Sequence, residues 1–365
     1  MPRTLVTDFA EQLARIVERQ QASKYSGSVA LAVSTGDRRV AWSGGAGPRS
    51  DSDSRPMDGA SPYLIASATK LYTTAILLQL VDEGALSLAD RAAQVIPGTD
   101  LSGIHVIRGE DYSQGITVKQ LMSHTSGLAD YFEQKQIGGG RLVDELIAGR
   151  DRAWTLEDVL ALNRDRLKPH FPPGTPGKAV YSDTNYQILG AIIEQRTGMA
   201  YADAIRTRVL EPLGLANTYV FTQREMDRYD SIAAMKWGMG LLRIPRAMTS
   251  FGVDGGIVST ADESMVFLRA FMRGELFQRQ HLDAIQDWKR IFFPLQYGIG
   301  IMKFELPWFF SPFKKFPPLI GHSGASGTVM FHCPALDLYL CGTVNQVKKR
   351  DLPYRMMMQV AGLFA

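Results

Sequence analysis

Strand-like stretches near both ends of the chain, with a long helical middle between them, constrain the fold more than any other feature. Ser26 to Ser34 and Arg39 to Ser43 read as two strands around a Thr35-Gly36-Asp37 turn, since aliphatic runs are punctuated there by glycine. Tyr297 to Phe304, Thr328 to His332 and Leu338 to Val344 read as further strands, and Tyr354 to Phe364 as a closing helix. Phe9, Leu13, Ile16 and Val17 recur at helical spacing and predict a first helix over Thr7 to Gln21. From Leu86 to about Phe221 the pattern is helical with long connections, one helix running from Tyr186 to a stop at Gly198. Strands at both ends with helices between them predict one domain made from both termini, residues 1–66 plus 250–365. A mostly helical domain, residues 67–249, is inserted into it. At 365 residues and 45% hydrophobic, the chain is large enough to bury more than one core.

Three polar stations fall between these elements: Ser67-x-x-Lys70, Tyr181-x-Asp183 and His322-x-Gly324. Ser67 and Lys70 lie one turn apart on a helix, on one face. A bland reading makes Ser67 an N-cap and lets Lys70 reach water. The chemical reading starts from the weakness of serine as a nucleophile, which needs an adjacent base. Lysine supplies one when burial or a cationic neighbour favours its neutral form, and a tyrosine phenol can relay the same proton. Backbone N–H groups would hold the oxyanion, and Gly324 would let a substrate backbone approach closely.

These residues carry a resemblance. The chain is similar to the serine β-lactamase and penicillin-binding-protein superfamily, in the class C-like branch that includes family VIII carboxylesterases and D-stereospecific peptidases. Ser67-x-x-Lys70 matches the nucleophile motif. Tyr181-Ser182-Asp183 matches the Tyr-x-Asn station, and His322-Ser323-Gly324 matches the Lys-Thr-Gly station. Leu121 to Leu128, Glu211 to Leu215 and Gly255 to Thr260 also look like the family's stretches. The resemblance implies an α+β fold, an antiparallel sheet flanked by terminal helices, with the active site between sheet and inserted helices. It implies acylation of Ser67, proton transfers shared by Lys70 and Tyr181, and an oxyanion held by the N–H groups of Ser67 and Ala325. Asp183, His322, Gly324 and Ala325 would contact substrate, with no metal or organic cofactor.

Two departures shape the expected activity. Asp183 puts an acceptor carboxylate where the family has a donor amide, so it either caps the following helix or contacts substrate or lysine. His322 stands where lysine would hold a β-lactam carboxylate, and a neutral imidazole binds such an anion less well. The expected activity is therefore a carboxylesterase acting on small acyl esters. A D-amino-acid peptidase, DD-peptidase or weak β-lactamase is the alternative, and a non-catalytic binding homologue a third reading.

The remaining signals narrow the class. Net charge is +3, too small to imply nucleic acid, and Lys348-Lys349-Arg350 reads as a solvated turn. No apolar run is long enough to span a membrane and no signal-peptide pattern opens the chain, so a cytoplasmic protein with a small-molecule ester or amide substrate is expected. Cys333 and Cys341 read as two core residues, not a disulfide, and His124 as a structural residue. The six histidines show no metal-ligand spacing. Gly321 to Ala325 breaks the G-x-S-x-G elbow at its last position, and Gly238-x-Gly240 reads as a turn. The aromatic run from Ile291 to Leu319, with Phe292, Phe293, Tyr297, Phe304, Trp308, Phe309, Phe310, Phe313 and Phe316, predicts either a buried hairpin or an apolar acyl pocket.

Overall fold

A computed structural model describes residues 3–50, 52–307 and 316–365, with side chains from residue 9 onward. Trp308, Phe309, Phe310, Phe313, Lys314 and Lys315 of the aromatic run lie outside the described residues. Among the described residues, one eight-stranded antiparallel sheet runs in the spatial order Lys289–Phe292, Leu295–Tyr297, Met302–Phe304, Leu319–Gly324, Thr328–Cys333, Leu338–Thr343, Val29–Thr35, Ala41–Ala46. The early strands therefore join the late ones, with Ala32 opposite Cys341 at the seam.

The period-two alternation of a strand divides the sheet between two cores. Val29, Leu31, Val33, Val329 and Phe331 point to one face, where they meet Leu13 and Val17 of the first helix and Met356, Met357 and Val360 of the last. Those helices span Arg3–Gln21 and Leu352–Phe364. Ala30, Ala32, Met330 and Cys341 point to the other face, against Phe267, Leu268 and Phe271 of the Ala261–Arg273 helix. Cys333 and Cys341 are both buried free thiols on one hairpin, opposite Leu338 and Met330 and not each other.

Local chemistry sets the helix ends, the predicted stop at Gly198 among them. Thr117 and Thr155 cap the helices Val118–Met122 and Leu156–Asp165 by accepting an N–H of the first turn. Gly198, with φ 67°, closes the Asp183–Thr197 helix in the left-handed conformation. Gly238 and Gly240 belong to a small hairpin, Lys236–Trp237 with Gly240–Leu241.

Two expectations are corrected. Tyr297 to Phe304 is two strands, broken at Gly298 to Ile301, because Gly300 passes so close to Thr74 that a Cβ would lie 2.1 Å from its hydroxyl oxygen. His322 lies inside the strand Leu319–Gly324, not at a turn. Arg350 is exposed in a turn, as expected, and also forms an ion pair with Glu133.

Candidate active site

Ser67 occupies a 3-10 turn, Ala66–Ala68, that leads into the helix Thr69–Asp82. The turn is clamped from two sides. Ser326 donates its hydroxyl to the Leu64 carbonyl at 2.7 Å, and Gly324 approaches so closely that a Cβ would lie 2.1 Å from the Ile65 carbonyl oxygen. On the other side, the N–H of Ile257 reaches Thr69 Oγ1 at 3.1 Å, and the N–H of Ile65 reaches the Ile257 carbonyl at 3.0 Å. Gly324 is thus glycine for a steric reason, the sheet edge lying directly against the serine turn. Ala66 carries a φ of 46°, a strained conformation for a residue with a Cβ, at the position before Ser67.

Lys70 is fully buried and does not reach water, and Ser67 is not a side-chain N-cap. The Lys70 Nζ lies 3.2 Å from Ser67 Oγ, 2.6 Å from the Asp254 carbonyl oxygen and 2.7 Å from Asp183 Oδ1. It also sits 5.1 Å from the ring centres of both Tyr181 and Tyr186. Between its two sequence readings, Asp183 takes the lysine contact: it is the first residue of its helix, Ser182 holds the N-cap position, and the carboxylate faces Lys70.

Tyr181 is positioned by the 124–130 loop. Val180 N–H donates to the His124 carbonyl at 2.9 Å, Ser182 N–H to His124 Nδ1 at 3.2 Å, and the Ser182 hydroxyl to the Ala129 carbonyl at 2.9 Å. The His124 ring packs 4.3 Å from that of Tyr181. His124 Nδ1 also accepts the Asn185 amide at 3.0 Å, so its other nitrogen carries the proton of the neutral ring and has no hydrogen-bond partner. Burial, reinforced by the Lys70 charge, holds His124 far below the usual imidazole range. The Tyr181 hydroxyl is buried without a well-formed hydrogen bond. Burial and the neighbouring Asp183 charge hold it far above the ordinary phenol range, outweighing the opposite influence of Ser67. Tyr181 is therefore a phenol and a proton donor at neutral pH.

His322 is fully buried and does not line the cleft. Its Nδ1–H donates to the Ser323 carbonyl at 2.7 Å, which leaves Nε2 to accept the Tyr297 hydroxyl at 3.0 Å. Tyr297 in turn lies 3.1 Å from the Tyr186 hydroxyl. Burial first, and then the Lys70 charge, push His322 down to about 3, so the ring is neutral. Gly324 and Ala325 line the cleft beside Ser67 and Tyr181.

Sequence reasoning missed two carboxyls. Asp130 accepts the N–H groups of Asp183 at 2.9 Å and Glu133 at 2.8 Å, and burial with the Asp183 charge pushes it up to about 7. Asp254 accepts the Tyr131 hydroxyl and the Gln187 amide, each at 2.8 Å, and the same two causes hold it well above the carboxylate range. No spacing rule points to Asp130 or to Asp254. Tertiary contact alone brings Asp130 to Asp183 and Asp254 to Lys70.

The cleft above Ser67 has a volume of about 1210 Å³, beyond the ~300–1,000 Å³ common for ligand pockets. Among the described residues its cations are Arg350 and Arg355, already paired with Glu133 and Asp351. Phe292 and Phe293 of the aromatic run, 49% and 65% exposed, stand at its edge and are not buried. The arrangement offers a hydroxyl beside an amine, a carboxylate on that amine, a protonated phenol and a close sheet edge. This is the equipment of acyl transfer through a serine ester.

Comparison with known proteins agrees with this chemistry. The chain is 35% identical over 156 residues to penicillin-binding protein 4 of Amycolatopsis lactamdurans, a match covering 42% of this chain and 35% of that protein. The matched region is thus about a third of the curated relative's length. Two solved structures share the fold over almost the whole chain. A D-stereospecific amidohydrolase from Streptomyces sp. has a TM-score of 0.75 and 24% identity, covering 97% of this chain and 98% of that one. EstCE1, a hydrolase with promiscuous acyltransferase activity, has a TM-score of 0.78 and 17% identity, covering 98% and 100%. Residues 13–357 match the Beta-lactamase family model, and with the large antiparallel sheet and the serine turn in place, the chain belongs to the beta-lactamase family of serine hydrolases.

Proposed function

We propose that this hydrolase is a carboxylesterase working through an acyl-enzyme on Ser67. The observation that carries the reading is the Ser67–Lys70 pair, 3.2 Å apart, beneath a cleft whose described cations, Arg350 and Arg355, are already paired with acids. Among the described lining residues no cation is left ready for the free carboxylate of a β-lactam or of a peptide C-terminus. An ester asks only for apolar walls and an oxyanion site.

In this reading Lys70 passes a proton to Asp183 at 2.7 Å and takes the one from Ser67. Ser67 Oγ then bonds to the ester carbonyl carbon, and the N–H groups of Ser67 and Ala325 hold the oxyanion. The carbon–oxygen bond to the alcohol breaks, and the alcohol leaves with a proton from the Lys70–Tyr181 side. Water attacks the acyl-enzyme, releases the acid and restores the Ser67 hydroxyl. Gly324 keeps the sheet edge against the serine turn, and His322 steadies the tyrosine layer behind it through Tyr297.

A D-amino-acid amidase or peptidase is the second reading, favoured by the carboxyls Asp130, Asp183 and Asp254, which suit an ammonium group. Asp183 is already engaged by Lys70, and the other two are pushed toward their neutral forms, so the ester reading is preferred. Side-by-side turnover of p-nitrophenyl esters, D-alanyl amides and a chromogenic cephalosporin tests the choice. Esters should be fastest by at least tenfold; faster amide or cephalosporin turnover would reverse it.

A further inference from the structure

The cleft that Ser67 lines draws its apolar residues from two separate clusters. Phe132, Leu146 and Phe251 form part of one, and they belong to the cluster built on the helical segments with Trp154 and Val159. Met302, Phe304 and Met358 form part of the other, and they belong to the cluster shared by the sheet and the terminal helices. The serine turn and the Gly324–Ala325 edge line the same cleft, which places the reacting centre with an apolar surface from each cluster around it.

A scissile carbonyl also has two sides, an acyl group and a leaving group. A pocket for a small acyl ester needs one short apolar hollow beside the nucleophile and solvent opposite it. Two walls and about 1210 Å³ exceed that need. The described charged groups of the lining point the same way: Asp130 and Asp254 are held toward neutrality, and Asp183, Glu133 and Asp351 are paired with Lys70, Arg350 and Arg355. An anion on either side of the carbonyl would find carboxyls and no free cation among the described lining residues.

We infer that the substrate is a neutral ester that is apolar on both sides of its scissile bond, an extended acid joined to an extended alcohol. The inference rests on Ser67 as the nucleophile and replaces the small acyl ester with a larger class. Each methylene that leaves water for one of these walls strengthens the transition state if it stays in contact there, by about threefold to fourfold in kcat/KM.

The test uses the full chain and two series of linear esters kept below their solubility limits, with acid release followed by titration. One series lengthens the acid from acetate to octanoate on a fixed ethyl group. The other lengthens the alcohol from ethyl to octyl on a fixed acetyl group. Both series should climb severalfold per methylene over several steps. Phe251→Ala should flatten one series and Met358→Ala the other, while Phe251→Trp, which fills the wall, should shorten the preferred chain in the series that Phe251→Ala flattens. Rates that peak at acetate or at ethyl, in protein that carries a Ser67 adduct from a fluorophosphonate, would overturn the two-sided inference and leave the hydrolase reading standing. Absence of both turnover and adduct would overturn the two together.

Discussion

Asp130 provides a sharp test of the electrostatics around Asp183. Its carboxyl lines the cleft, is 8% exposed, and is pushed up to about 7 by burial and by the Asp183 charge. The unfolded chain would release that proton near the ordinary value of ~4. Between those limits the native state binds a proton that the unfolded state lacks, so stability falls as pH rises through the window and levels off above it. From about pH 5 to about pH 8 this single group removes on the order of 2–3 kcal/mol. In Asp130→Asn the titration is gone. The amide keeps one acceptor for the N–H groups of Asp183 and Glu133, which costs ~1–3 kcal/mol at any pH. The informative quantity is therefore the change between pH values. Relative to the parent, the variant should be more stable by about 2–3 kcal/mol at ~pH 8 than at ~pH 5, read from urea unfolding followed by tryptophan fluorescence. Equal effects at both pH values, or a relative loss at the higher one, would refute the reasoning that burial keeps Asp130 protonated near neutrality.

Further perturbations probe the geometry of the site. Lys70→Met should lower kcat for ester hydrolysis by ~10²–10⁴-fold. It should also destabilise the protein by ~3–5 kcal/mol, since Asp183 loses its ammonium partner at 2.7 Å. Calorimetry beside the rate assay separates the two effects, and an unchanged melting temperature would contradict the buried pair. Gly324→Ala places a Cβ 2.1 Å from the Ile65 carbonyl oxygen, so the serine turn must shift; activity should fall more than about tenfold, and a parental rate would show that the edge lies elsewhere. Tyr297→Phe leaves His322 Nε2 buried without its donor and should cost ~1–3 kcal/mol in urea unfolding, with activity reduced less than by Lys70→Met.

The parts of the site legible in the sequence are those held by short-range rules. Ser67 and Lys70 are three apart on one helical entry, and Gly198 marks a helix end through its backbone conformation. That strands from both ends belong to one domain followed from apolar runs punctuated by glycine, and the antiparallel sheet from the resemblance to the β-lactamase superfamily. What escaped depends on distant contacts. The break in the Tyr297 to Phe304 stretch is imposed by Thr74, far away in sequence, which leaves room only for a glycine. His322 faces the buried Tyr297 because of the strand register that brings Met302 opposite Gly321. Asp130 and Asp254 have no motif of their own, and only the packing of their segments around Asp183 and Lys70 gives them a role. Phe292 and Phe293 read either as part of a buried hairpin or as part of an apolar pocket, and they stand exposed at the cleft, where function can retain apolar surface in contact with water.

The central claim is that Ser67 is an activated nucleophile. Intact-protein mass after treatment with a fluorophosphonate, with the modified peptide mapped and Ser67→Ala as the control, tests it most directly. The account predicts a single phosphonyl adduct on Ser67 that is absent from the variant. No adduct on well-folded protein, or an adduct on another serine, would contradict it.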